Sequence, residues 1–172
     1  SDHISGLKML IKHYSLPVYA PRAVANRLRG CLPEAEPYLR VIPVNEPFEI
    51  GGVSVTAFHT PHDTDESVGY RVEGGGVFAL ATDMGHVTEE AFDALSGADT
   101  VLIESNHDEE MLRYGPYPVY LKRRMLSDSG HLSNACCADL ARKLALGGTR
   151  QIILGHLSRE NNSPAIAMSA AR

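Results

Sequence analysis

The sequence has few of the features that mark secreted, membrane-spanning or strongly basic proteins. Its 172 residues include three cysteines, too few for a disulfide framework, and Cys136 and Cys137 are adjacent and therefore poorly placed to bridge each other. The longest apolar run, Val77–Ala81, is far shorter than the roughly 20 residues that span a bilayer. No stretch has the pattern of a signal peptide. The net charge of −5 argues against nucleic-acid binding through overall basicity, although it leaves room for a local basic patch. We therefore expect a cytoplasmic protein that does not enter a membrane.

What is present fits one globular domain over residues 1–172. Apolar residues make up 44% of the chain and charged residues 22%, which excludes a disordered chain or a coiled coil. Eight histidines stand out, because several lie beside Asp, Gly or Ser rather than in apolar runs. The sequence starts at Ser1 without a methionine and ends in Ala-Met-Ser-Ala-Ala-Arg, so we expect a fragment of a longer protein.

Hydrophobic periodicity predicts an α/β fold in which sheet layers are covered by helices. Helices are predicted at 3–14, with Asp2 as N-cap, and at 22–30, 88–96 and 132–146. Strands are predicted at 16–20, 39–44, 48–50, 53–59, 68–72, 78–81, 100–104 and 151–154. Leu132, Cys136, Leu140 and Leu144 are predicted to form the apolar face of the last helix. Residues 106–126 are predicted to be irregular, with partly helical structure as the alternative.

Histidine and aspartate residues follow several predicted strands at the point where each strand ends. His62 follows the strand at 53–59, Asp83 the strand at 78–81 and His156 the strand at 151–154. Functional residues of layered sheets collect at such positions, and imidazole together with carboxylate suits Zn²⁺, Mn²⁺ or Fe. Each residue alone has an ordinary alternative role, as a turn or surface residue. The set from remote parts of the chain favours a metal site.

Longer strings then resemble a known family. Ser1–Leu7 is similar to the second half of the His-x-His-x-Asp-His motif of the metallo-β-lactamase superfamily, without its two leading histidines. Further strings resemble its branch of YycJ/WalJ-like phosphodiesterases, which is related to the ribonuclease Z and ribonuclease J enzymes. They are Gly-Tyr-Arg-Val (69–72), Ala-Thr-Asp-Met-Gly-His-Val (81–87), Ile-Glu-Ser-Asn-His-Asp (103–108), Gly-Pro-Tyr-Pro (115–118), Leu-Lys-Arg-Arg (121–124), Ser-Gly-His-Leu-Ser-Asn (129–134) and Gly-His-Leu-Ser-Arg-Glu-Asn-Asn (155–162).

The resemblance implies a four-layer αββα sandwich, incomplete at its N-terminus, and a hydrolase that uses two divalent metal ions, Zn²⁺ or Mn²⁺. It implies an exonuclease that acts on DNA rather than RNA. His62 would hold the first metal, Asp2, His3 and His156 the second, and Asp83 would bridge both, with Asp2 also expected to take part in catalysis. Because two ligands of the first metal are missing, we expect the fragment alone to hold metal poorly and to be inactive.

The resemblance also points to a histidine and a glutamate outside the ligand set. His131 would contact the scissile phosphate or protonate the leaving oxygen, a role for which imidazole is suited near neutral pH. Glu104, at the end of a predicted strand, would orient His131. The ordinary alternatives are a histidine that caps a helix and a glutamate exposed at a strand end.

A basic segment follows at 111–127, which contains no acidic residue. Its cations suit phosphates and its tyrosines can stack on bases, so it is a candidate platform for a nucleic-acid strand. The predicted substrate-binding residues are Arg113, Tyr114, Lys122, Arg123 and Arg124. The alternative is a solvated basic turn with tyrosines packed underneath.

Two other functions stay open from the sequence. One is a small-molecule hydrolase of the same superfamily that acts on a thioester or a lactam. The other is a non-catalytic metal-binding or interaction domain. His131 and the basic segment favour the nuclease, because neither has an evident use in the alternatives. The oligomeric state is left open.

Overall fold

The computed structural model describes residues 3–172, which form an α/β structure with two sheets. The strands are β1 (Val18–Ala20), β2 (Leu39–Val41), β3 (Pro47–Ile50), β4 (Val53–His59), β5 (Val68–Glu73), β6 (Val77–Ala81), β7 (Thr100–Glu104) and β8 (Gln151–Gly155). The helices are α1 (Leu7–Tyr14), α2 (Arg22–Cys31), α3 (Glu89–Leu95), α4 (Glu109–Tyr114), α5 (Val119–Met125), α6 (Asn134–Leu146) and α7 (Pro164–Ala170), with a 3₁₀ helix at Pro33–Tyr38.

The main sheet has six strands in the order β3-β4-β5-β6-β7-β8. Strands β3 to β6 pair antiparallel, whereas β6, β7 and β8 pair parallel. Strands β4, β6, β7 and β8 therefore point in one direction, and their carboxyl ends share one edge of the sheet. Strands β1 and β2 form a separate parallel pair.

Helices α3 and α6 bury their apolar faces in the main core. Ala91 and Leu95 of α3 and Leu140 and Leu144 of α6 join a cluster with strand residues such as Val101. A smaller core links α1, α2, the 3₁₀ helix and β2. Its buried members are Ile11, Leu28, Ala35 and Leu39. The larger core supports the edge at which the four parallel-running strands end.

The α/β class predicted from the sequence is confirmed, and the predicted strands of the main sheet are present with small shifts at their ends. Helix α1 is shorter than predicted, because it begins at Leu7 and has Gly6 as its N-cap. Asp2, predicted as that cap, lies outside the described residues. The strand predicted at 39–44 ends at Val41, and a 3₁₀ helix precedes it where a loop was expected.

The second half of the chain differs from the prediction in its helices. Residues 106–126 are partly helical, the alternative predicted for them, because they contain α4 and α5. Helix α7 was not predicted. The last predicted helix begins at Asn134, and its buried face uses Cys137 rather than the predicted Cys136, which is exposed. Burial raises the pKa of the Cys137 thiol to about 11, so it packs as a neutral side chain.

The structure also gives the state of the cysteines and the length of the helices. Cys31, Cys136 and Cys137 are all free. Within residues 3–172, no helix has the length and apolar composition needed to cross a bilayer.

Candidate metal centre

Three imidazoles surround the carboxylate of Asp83 at the shared edge of the main sheet. Asp83 Oδ2 lies 2.7 Å from His3 Nε2, and Asp83 Oδ1 lies 3.4 Å from His62 Nε2 and 3.8 Å from His156 Nε2. His62 follows β4, Asp83 follows β6 and His156 follows β8, so the parallel direction of these strands brings the side chains together. The structure thus unites four of the five predicted metal ligands, and Asp2, the fifth, lies outside the described residues.

The Nδ1 contacts of His62 and His156 orient their rings. His62 Nδ1 lies 3.0 Å from the carbonyl oxygen of Gly130, which can only accept a hydrogen bond. His156 Nδ1 lies 2.6 Å from Glu104 Oε1. Nδ1 of each ring is therefore a hydrogen-bond donor, and Nε2 is turned towards Asp83. This is the arrangement by which proteins orient histidine ligands of a metal.

Glu104 is the buried hub of the site, and all its hydrogen-bond partners belong to neighbouring site loops. Its Oε1 accepts hydrogen bonds from Nδ1 of His131 at 2.8 Å and from Nδ1 of His156. Its Oε2 accepts from the backbone N–H of Met84 at 2.8 Å and of Leu132 at 3.3 Å. The carboxylate at the end of β7 therefore fixes three loops at once.

Burial of Glu104 disfavours its charged form, but the hydrogen bonds outweigh that effect. Hydrogen bonds from His131 and His156, together with the backbone of Met84, lower the pKa of the Glu104 carboxyl to about 2. A carboxylate that is ionised near neutral pH can only accept hydrogen bonds. The Nδ1 atoms of both histidines are therefore the donors.

His131 differs in orientation from the other histidines of the site. It is Nδ1 of His131 that lies 3.7 Å from Asp83 Oδ1, and this nitrogen already donates to Glu104. In His3, His62 and His156 the nitrogen beside Asp83 is Nε2. His131 is therefore distinguished by the ring nitrogen that faces Asp83, although it lies as close to that carboxylate as His156 does.

The backbone is left-handed at two of the predicted ligands. Asp83 has φ +55° and His156 has φ +56°, although neither is glycine. Such a conformation costs a residue with a Cβ about 1–2 kcal/mol and persists where the surroundings enforce it. Strain of this kind is typical of functional sites.

Close backbone approaches lock the loops of Asp83 and His131 together. A Cβ on Gly85 would collide with the backbone of Asp128 and Gly130, and a Cβ on Gly130 would collide with the carbonyls of Arg124 and Met125. The Gly85 N–H also donates to the carbonyl of Pro61 at 3.0 Å. These two glycines therefore allow the three site loops to touch.

The donor set fits divalent metal ions. Asp83, Glu104, His131 and His156 each offer a ligand atom within 4.8 Å of the others. Glu104 already accepts four hydrogen bonds, whereas the Nε2 atoms of His3, His62 and His156 face the Asp83 carboxylate. Imidazole nitrogen with carboxylate oxygen is the ligand type of Zn²⁺ and of related transition metals.

The predicted substrate-binding residues lie on α4 and α5. Tyr114 is 86% exposed, and Lys122 donates to the carbonyl of Arg113 at 2.7 Å. Arg124 forms a two-point ion pair with Asp63, whose Oδ1 also lies 3.5 Å from His62 Nε2. The Arg124 guanidinium keeps the pKa of the Asp63 carboxyl below its usual value. Arg124 is therefore anchored beside the metal centre.

Several contacts of the site were not predicted from the sequence. Asp63 was not singled out, and Glu104 was paired with His131 alone although it also binds His156. The one available signal for Asp63 is its place directly after His62.

Comparison with known proteins shows which family this chain belongs to. Residues 1–157 match the family model of the β-lactamase superfamily domain. The chain belongs to the β-lactamase superfamily. This confirms the family resemblance and the metallo-β-lactamase fold expected from the sequence. In this superfamily fold, the donor group around Asp83 implies divalent metal ions.

Relatives of this superfamily member include two exodeoxyribonucleases. The chain is 37% identical over 171 residues to "Exodeoxyribonuclease YycJ" of Bacillus anthracis, and 35% identical over 173 residues to "Exodeoxyribonuclease WalJ" of Streptococcus pneumoniae. Each alignment covers 97% of this chain, which spans 64% of the length of each relative.

A solved structure shares the fold. The metallo-β-lactamase fold protein YhfI of Bacillus subtilis matches with a TM-score of 0.73 at 17% identity. The match covers 99% of this chain and 66% of that protein.

Proposed function

We propose that the protein is a metal-dependent phosphodiesterase, an exonuclease that acts on DNA rather than RNA. The observation that carries this proposal is that His62 and His156 turn Nε2 towards Asp83, whereas His131 turns Nδ1 there and donates it to Glu104. Metal ions that stabilise charge on phosphoryl oxygens and a proton donor for the leaving oxygen both promote hydrolysis of a DNA phosphodiester. The similarity to two exodeoxyribonucleases supports DNA as the substrate.

We assign His62 to a first metal ion, His3 and His156 to a second, and Asp83 to both. Asp2 completes this proposed set, together with its expected part in catalysis. When bound, such ions lower the pKa of water and stabilise negative charge on phosphoryl oxygens. Zn²⁺ and Mn²⁺ are the proposed metals because the donors are imidazole and carboxylate.

In a longer chain that carries the two leading histidines of the family motif, we expect two divalent metal ions at saturation, one lost in His62→Ala and one in His156→Ala. Elemental analysis after dialysis against metal measures the stoichiometry. His59→Ala is the matched control, because His59 is exposed and bonds Glu90 outside the centre. A wild-type protein that never exceeds one ion would contradict the two-metal assignment.

The basic tyrosine surface, formed by Arg113, Tyr114, Lys122, Arg123 and Arg124, is our proposed platform for the substrate strand. Tyr114 and Tyr120 are 86% and 73% exposed, as bases that stack on them would require. This exposure argues against the alternative in which the tyrosines are packed underneath. Arg123 forms no ion pair with any residue of the described chain, so it is available to a phosphate.

The ion pairs of the surface predict that Arg123 and Arg124 act differently. Arg123→Ala should weaken DNA binding and reduce the log–log slope of binding against salt by about one unit, as loss of one phosphate contact would. It should leave turnover of a small nitrophenyl phosphodiester unchanged. Arg124→Ala should slow turnover of both substrates, because Arg124 is anchored beside His62 through Asp63.

Binding measured at several salt concentrations and turnover of the two substrates test this division. Arg142→Ala, an exposed arginine of α6 that pairs with Asp139, is the control. If Arg123→Ala changes neither affinity nor salt slope, α5 does not bind the strand.

We also propose a cytoplasmic location, because a reducing compartment suits a protein with three free cysteines.

A further inference from the structure

The buried residue Asn106 contacts the His156 loop through both its side chain and its backbone. Its Nδ2 donates a hydrogen bond to the carbonyl oxygen of His156 at 3.0 Å. The backbone carbonyl of Asn106 accepts a hydrogen bond from the N–H of Ser158 at 2.8 Å, so Asn106 contacts the loop on both sides of Leu157. Its own N–H donates to the carbonyl of Leu132, beside His131. Asn106 is 6% exposed.

The left-handed backbone at His156 explains why such a tether is needed. A histidine at φ +56° is in a conformation that side chains with a Cβ rarely adopt, so neighbouring contacts must enforce it. The ring is fixed at Nδ1 by Glu104. The peptide that follows the ring is fixed at its carbonyl by Asn106. Together these contacts define both the ring and the backbone of one residue.

Asn106 belongs to a buried asparagine cluster, which consists of Asn106, Asn134 and Asn162. Asn162 Nδ2 donates to the backbone carbonyl of Asn106 at 3.1 Å and to the side-chain oxygen Oδ1 of Asn134 at 2.9 Å. Asn134 in turn donates to Asn162 Oδ1 at 3.0 Å. Buried amides are unfavourable unless they are hydrogen-bonded, so three that are buried together indicate a specific role.

The side chains of Asn106 and Asn134 differ in whether they reach the His156 loop. The side-chain hydrogen bonds of Asn134 run to Ser105 and Asn162, whereas Asn106 reaches the carbonyl of His156. Asn134 is similarly buried, at 4% exposure. It therefore provides a matched comparison for the effect of removing a buried amide.

We propose that Asn106 is a positioning residue, which holds the His156 backbone so that Nε2 faces Asp83 and can bind metal. This inference rests on the proposed metal site, because it assigns His156 as a ligand. The side-chain amide of Asn106 reaches the site through the carbonyl of His156. Loss of its amide should therefore alter metal affinity more than it alters folding.

The test compares Asn106→Leu with Asn134→Leu, since leucine has nearly the shape of asparagine without its hydrogen bonds. The zinc dissociation constant is measured in the full chain by competition with a chromophoric chelator, and the urea midpoint is measured for each variant. We expect Asn106→Leu to weaken zinc binding about 10–100-fold, the usual effect of losing a partner that orients a metal ligand. Asn134→Leu should shift the urea midpoint similarly while zinc binding stays close to wild type.

Two reference variants, His156→Ala and Asn134→Leu, separate failure of this inference from failure of the proposed function. If His156→Ala binds zinc like the wild type, the metal assignment is wrong. If His156→Ala loses zinc but Asn106→Leu does not, the positioning role is wrong. Equal zinc loss in Asn106→Leu and Asn134→Leu would also overturn it, because the cluster would then act through stability alone. Asn106→Ala, which relieves any overpacking by leucine, replaces Asn106→Leu if that variant does not fold, with Asn134→Ala as its control.

Discussion

In a longer chain that carries the two leading histidines of the family motif, Asp83→Ala should lower phosphodiester hydrolysis by about 10³-fold or more while the protein stays folded. Asp83 is the carboxylate that all three ligand imidazoles face, so its loss removes the proposed shared ligand of both metals. Metal ions supply several kcal/mol of charge stabilisation, which corresponds to about this change in rate. The side chain contributes little to the main core, so far-UV circular dichroism should be unchanged.

Backbone strain also affects the stability of Asp83→Ala, so a second variant, Asp83→Asn, is measured beside it. Because Asp83 has φ +55°, alanine at this position costs about 1 kcal/mol in stability through the backbone alone. Asp83→Asn avoids most of this cost, since asparagine tolerates the left-handed region, yet it still removes the charge. Both variants should lose activity and metal together.

Asn45→Ala is the control for strain, because Asn45 has φ +62° and lies in the loop between β2 and β3. Rates, metal content and urea midpoints of the three variants are compared. An Asp83→Asn protein that keeps its activity with unchanged metal content would exclude the bridging role.

The main sheet could be predicted because its signals are local. Alternation in β4 and β5 and the apolar run of β6 determine which strand faces are buried, and Gly51 and Gly52 adopt the positive φ that their turn requires. The bounds of α4 and α5 were not predicted within residues 106–126. Their boundaries depend on single caps, such as Asp108, which accepts from the N–H of Met111.

The same reasoning explains which parts of the site could be predicted. Positions at strand ends can be found from sequence, because parallel strands bring their carboxyl ends to one edge. Contacts between side chains from distant segments depend on register and loop path. The Arg124–Asp63 ion pair and the buried asparagine cluster are of this kind, so neither emerged from spacing. The role of Glu104 could be predicted only in part. Its position at a strand end was evident from the sequence, but its four hydrogen-bond donors were not.

His131→Ala should slow hydrolysis of DNA by about 10²–10⁴-fold, the usual effect of losing a general acid, while both metals stay bound. His131 donates its Nδ1–H to Glu104, which leaves Nε2 as the nitrogen that can carry a proton to the leaving oxygen. The folded state should tolerate the change, since Glu104 keeps its hydrogen bonds from His156, Met84 and Leu132. Loss of one donor should lower stability by about 1–2 kcal/mol.

The leaving group separates the proton-donor role from the two alternatives. A nitrophenolate leaves without a proton, so His131→Ala should slow a nitrophenyl phosphodiester much less than DNA. His86→Ala is the matched control, because His86 is an exposed histidine of the Asp83 loop that bonds the Asp128 carbonyl. His131 also lies within 4.8 Å of the other donor atoms, so loss of metal in His131→Ala would make it a ligand. An equal slowing of both substrates with metals retained would leave it only the positioning of the phosphate, because the rate would then not depend on the need for a proton.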